Sequence, residues 1–78
     1  MTVKERMHYQ YRLGLLKINL EMSSEIMDLY IDPIKNSGTF NDEEANKMIE
    51  LISKDFKEAD ERIIKEIEEI ENILKEKG

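Results

Sequence analysis

Apolar residues recur along this chain at every third or fourth position, with one break near the middle. The series Met7, Tyr11, Leu15, Ile18, Met22, Ile26, Leu29 keeps one side of a 3.6-residue helix apolar. A second series does the same: Ala45, Met48, Ile49, Ile52, Phe56, Ala59, Ile63, Ile67, Ile70, Leu74. Between them, Asp32-Pro33-Ile34-Lys35-Asn36-Ser37-Gly38 is turn chemistry, and the residue before a proline is pushed out of the α region. The pattern predicts an all-α fold: two helices over about 3–31 and 42–76, joined by a connecting turn at 32–41, in one domain of 1–78.

Local signals support the two helices. Thr2 followed by Glu5, and Asn41 followed by Glu44, have capping-box spacing, and Phe40 is placed to staple onto Ala45. Asp42, Glu43 and Glu44 complement the positive end of the second helix. That helix meets neither Gly nor Pro before Gly78, and Glu50–Lys54, Glu58–Arg62, Glu61–Lys65 and Glu71–Lys75 are spaced as i,i+4 pairs. Gly14 is the weak point of the first helix, costing about 1 kcal/mol relative to Ala, unless it admits a closely packed neighbour.

The two stripes fit one antiparallel hairpin. Met7 would face Ile67, Tyr11 Ile63, Leu15 Ala59, Ile18 Phe56, Met22 Ile52, Ile26 Met48 and Leu29 Ala45, so that facing residue numbers always total 74. A heptad seam alternates steps of three and four. Both stripes break that rhythm with two successive steps of four, at 7–11–15 and at 59–63–67, and this register sets the two breaks opposite each other.

Helix 1 then has apolar residues to spare. Tyr9, Leu13, Leu16, Leu20, Met27 and Ile31 form a second stripe roughly opposite the first, interrupted by Ser23 and Ser24. A helix apolar on two sides calls for cover on both. The expectation is a hairpin that assembles into a homo-oligomeric helical bundle, a dimer or higher, through this second face of helix 1, with a protein partner on the same face as the alternative.

Composition sharpens this picture. A chain of 78 residues buries a modest fraction of its surface and commonly needs a partner, a metal or a disulfide. With no Cys there is neither disulfide nor thiolate site, so a cytoplasmic location is expected. No apolar run approaches the ~20 residues that span a bilayer. The net charge of −6 repels a phosphate backbone, so a nucleic-acid polymer is disfavoured as partner.

That charge is unevenly placed. Residues 1–20 carry Lys4, Arg6, Arg12 and Lys17 against Glu5, a net of +3, while residues 21–78 hold 8 basic and 17 acidic residues, a net of −9. Basic residues in a helix's first turn oppose its dipole. The hairpin offers one reason for them, since it would bring this end beside Glu66, Glu68, Glu69 and Glu71. The cluster Lys4, Arg6, His8, Tyr9, Tyr11 and Arg12 offers another: rings to stack and cations to pair suit a small anionic, nucleotide-like ligand.

Catalysis has little to work with. Ser23, Ser24, Ser37 and Ser53 lie far along the chain from His8, the only histidine, and no Gly-rich phosphate loop exists. Glu5-x-x-His8 has the spacing seen in di-iron carboxylate bundles. It sits at a helix end, off the main stripe, and reads as a surface histidine in a Glu-rich chain. The sequence thus points to a non-enzymatic protein–protein interaction module (an adaptor, inhibitor or regulator) with no cofactor and no metal. An oligomeric binder that sequesters a nucleotide-like ligand is the alternative, and a structural coiled-coil subunit the third reading. Nine Lys to three Arg suggests an AT-rich bacterial or phage genome, for which a phage-encoded antagonist of host signalling fits.

Overall fold

The computed structural model describes residues 1–77 and contains two helices, α1 (Val3–Asn36) and α2 (Asp42–Lys77), packed against each other as a hairpin. The hairpin measures 56 × 15 × 11 Å, the long dimension being that of a 36-residue helix at 1.5 Å per residue. Gly78, the expected stop of α2, lies outside the described residues.

Both N-termini form as their side chains dictate. Thr2 is extended (φ −75°, ψ 160°), and its Oγ1 accepts from the Glu5 N–H at 3.1 Å. Asn41 and Glu44 close a reciprocal box: Glu44 N–H donates to Asn41 Oδ1 at 2.8 Å, and Asn41 N–H donates to Glu44 Oε1 at 3.3 Å. Each arrangement satisfies donors that a helix start would otherwise leave without a partner.

The end of α1 differs from expectation. The helix does not stop at Ile31 but runs through Pro33 to Asn36, so the connection is Ser37–Asn41 rather than 32–41. Proline removes one N–H and disfavours the α conformation before it. Here that cost is offset by Ile34, which the continued turn buries, and by the Ser37 N–H, which donates to the Pro33 carbonyl at 3.0 Å. Gly38 then takes φ +70°, the left-handed conformation that reverses the chain after a helix.

The seam corrects the sequence reading more deeply. On α1 the buried residues are Leu16, Ser23, Ile31 and Ile34, and Tyr9, Leu13 and Leu20 pack on α2 around Leu16, Ile67 and Ile70. The stripe read as the outer interaction face is therefore the inner face of the hairpin. The stripe read as the inner face, from Met7 to Leu29, is exposed at every one of its seven positions. The stripe assigned to α2 does face α1: Ile67 and Ile70 are buried, and Ile63 and Leu74 pack beside them. The two faces of α1 have exchanged roles.

The register shifts with the face. Ser23 Oγ donates to Asp60 Oδ1 at 2.7 Å, a pair whose numbers total 83 rather than 74. Leu16 beside Ile67 shares that total. Along this face α1 keeps steps of three and four from Tyr9 to Met27 and then takes two steps of four in a row, 23–27–31. Directly opposite, α2 takes its two steps of four at 60–56–52. The matched break in periodicity is real, but it occurs on the other face and includes two polar residues.

Two features favour this face. Ser23 is polar, yet Asp60 completes its hydrogen bond, so burying it leaves no donor without a partner. The face also continues to Ile31 and Ile34 beside the turn, whereas the opposite stripe reaches Pro33 and Asn36 there and has no apolar residue to close the hairpin. Arg12 also reaches Glu66 across the seam, its Nε at 2.8 Å and its Nη2 at 2.6 Å from the same carboxylate oxygen, a contact that either register would allow.

Candidate interaction surface

Elementary helix geometry builds the outer face of α1. The spacing 7–11–15–18–22–26–29 repeats every 11 residues, or about 3.67 per turn, close enough to the helical 3.6 to hold a nearly straight stripe. The inner face repeats in heptads instead, so the two sides of one helix follow different periods. Over the 22 residues from Met7 to Leu29 the outer stripe is about 33 Å long at 1.5 Å per residue.

This stripe is open. Met7, Tyr11 and Leu29 are 63, 69 and 73% exposed, and Leu15, Ile18, Met22 and Ile26 are also exposed. Single exposed apolar residues are ordinary on protein surfaces, but a contiguous run of this length is a recognised mark of an interaction site. On α2 the exposed large apolar residues are Leu51 and Ile64, which stand apart from each other. Among the described residues no large side chain is fully enclosed, so the hairpin seam by itself is a thin core. Gly14, at the edge of the stripe, has nothing within 4 Å of the position a Cβ would take, so nothing within the hairpin packs closely on it.

The expected interaction-face residues lie elsewhere. Leu16 and Ile31 are buried in the hairpin, and Tyr9, Leu13, Leu20 and Met27 are half-buried on the same side. Met27 and Leu20 line a groove of about 440 Å³ between the helices, together with Phe56, Ile64 and the rim of the Ser23–Asp60 pair. Tyr30 covers Phe56 with ring centroids 6.1 Å apart. Ser23, Tyr30 and Ile34 belong to the helix contact and were missed in sequence, two because they are polar or follow a proline. The signal that finds them is the alternation of three and four continued through Ser23.

The basic cluster is divided. Lys4, His8 and Tyr9 line a shallow depression with Thr2 and Glu5. Tyr11 lies in the exposed stripe, pointing away from Tyr9 and outside this depression, and Arg12 is bound to Glu66. Arg6 is half-buried. The arrangement thus does not gather Arg6, Tyr9, Tyr11 and Arg12 into one pocket. The contact between the basic end of α1 and the acidic end of α2 is realised through Arg12 and Glu66. Both are substantially exposed (52 and 38%), so the pair adds at most about 1 kcal/mol.

The four expected i,i+4 pairs of α2 do not close to within 4.0 Å. Among the described residues the ion pairs are Arg12–Glu66 and Glu43–Lys47, the latter at 3.4 Å. No three His, Asp or Glu side chains converge as a metal-holding group among the described residues, and Glu5 and His8 are exposed on the first two turns of α1. Among the described residues no helix is long and apolar enough to cross a membrane.

No family model, curated protein or solved structure matches the chain. Its own surface is therefore what bears on its role.

Proposed function

We propose that this chain is a non-enzymatic protein–protein interaction module that docks through the outer face of α1. One observation carries the reading: a stripe of seven apolar side chains, from Met7 to Leu29, left exposed on a hairpin that has already used its other apolar face. An apolar face about 33 Å long is costly to leave in water and releases that cost on docking. The recognition mode is a helix face laid against a matching apolar surface, with anchors at three- and four-residue spacing. The outer side of α2, rich in Glu and Lys, provides the solvated exterior of such a complex.

The direct test is affinity capture from an extract of the native cells, comparing the wild-type chain with a Leu15→Glu/Ile18→Glu double variant. Both positions are exposed, so the variant should retain its helicity. Proteins bound by the wild type and lost from the variant support the reading. The same set bound by both overturns it.

A further inference from the structure

We propose that the partner on this stripe is a second copy of the chain, its α1 helix packed antiparallel to the first about a two-fold axis near Ile18. This rests on the interaction-face reading above and specifies the occupant.

Charge distribution is the first argument. Within α1, residues up to 20 carry a net of +3, whereas residues 21–36 carry Glu21, Glu25, Asp28 and Asp32 against Lys35, a net of −3. The helix is therefore antisymmetric in charge about its middle. Arg6 is half-buried and Arg12 is bound to Glu66 within the hairpin, so the cations left to act between copies are Lys4, which falls opposite Asp32 of an antiparallel copy, and Lys17, which comes near its Glu21. A parallel pair would set the four acidic residues against their own copies. Complementary charge of this kind selects orientation and suppresses the alternative more than it adds affinity.

Periodicity is the second argument. Spacing of four, four and three becomes three, four and four when read backwards, so the stripe matches its own reverse to within one residue. Met7 comes opposite Leu29, Leu15 opposite Met22, and Ile18 opposite itself. An interface made from one patch used twice must be self-complementary in this way. The two apolar faces of α1 lie roughly opposite on the helical wheel. The dimer is then a four-helix assembly with the two α1 helices central and each charged α2 outside.

The absence of cysteine from the chain makes the geometry testable by single substitutions. Ile18→Cys alone should cross-link to a dimer with a bismaleimide of short span. Met7→Cys and Leu29→Cys should each fail to cross-link alone and should cross-link when mixed. Sedimentation equilibrium of the wild-type chain should show a concentration-dependent dimer. Ile18→Glu, which brings two carboxylates together on the axis, should weaken the dimer about a hundredfold or more without loss of helicity. Self-cross-linking of Met7→Cys alone would mean parallel packing and overturn the proposal. So would a wild-type chain that stays monomeric through the concentration series. If that monomer still captured other proteins through Leu15 and Ile18, the second-copy occupant would fail while the interaction-face reading stood.

Discussion

Leu15 and Leu16 are adjacent and chemically identical, yet the turn of about 100° between neighbours puts them on different faces of α1. Replacing each with Ala measures which face closes the hairpin. Leu16 is 6% exposed, in the cluster with Ile67 and Ile70, whereas Leu15 is 44% exposed on the outer stripe. A buried Leu→Ala change costs about 2–5 kcal/mol, the spread reflecting how far the site can collapse. A seam between two helices, with no large side chain fully enclosed, can relax, so Leu16→Ala belongs at the low end, about 2–3 kcal/mol. Leu15 has little hairpin burial to lose, and its loss should stay within about 1 kcal/mol for the single chain. Folded domains have only about 5–15 kcal/mol of stability, and one this small lies at the bottom of that range. Leu16→Ala should therefore lower the urea midpoint of helix loss far more than Leu15→Ala, at similar slope. The comparison is made at the highest dilution that gives a helical signal, because Leu15→Ala also weakens the proposed dimer and mass action then adds a concentration-dependent term. Equal losses at that dilution, or a greater loss for Leu15→Ala, would refute the face assignment and restore the register in which Leu15 meets Ala59.

Other substitutions probe the polar seam and two of the three glycines. A double-mutant cycle with Ser23→Ala and Asp60→Ala should give a coupling energy of about 1–2 kcal/mol by urea unfolding, since the hydrogen bond is charged and partly buried; a coupling under about 0.3 kcal/mol would remove the pair as a determinant of register. Gly38→Ala should destabilise the hairpin by roughly 1 kcal/mol, because a Cβ is strained at φ +70°, and an unchanged thermal midpoint would argue against that turn. Gly14→Ala should raise stability by up to about 1 kcal/mol, as the added Cβ meets nothing within 4 Å in the hairpin. A loss there would instead place a neighbouring backbone against that position.

Much of the fold was legible because it is local. Thr2 and Asn41 cap their helices through hydrogen bonds to residues three positions away, and such contacts form wherever the sequence occurs. The apolar side of α2 is equally clear, since the rest of that helix is mostly charged and a single continuous stripe has one possible use. Pro33 was misleading because its local preference is modest beside the burial of Ile34 one residue later. The candidate site was half legible: the surplus of apolar surface on α1 could be seen, but not which stripe was the surplus.

That last choice belongs to the tertiary structure. Each face of α1 carries an apolar stripe with a break in periodicity that α2 can match, so one-dimensional pattern alone leaves two registers, totals of 74 and 83, nearly equivalent. What separates them is contact between residues distant in sequence: Ser23 with Asp60, and Ile31 and Ile34 closing beside the turn. By itself the sequence determined two capped helices, an antiparallel hairpin and an excess of apolar surface on α1, because periodicity and capping act over a few residues. Only packing decided which side is core and which is surface, because a polar residue such as Ser23 becomes an acceptable interior residue once a partner 37 positions away completes its hydrogen bond.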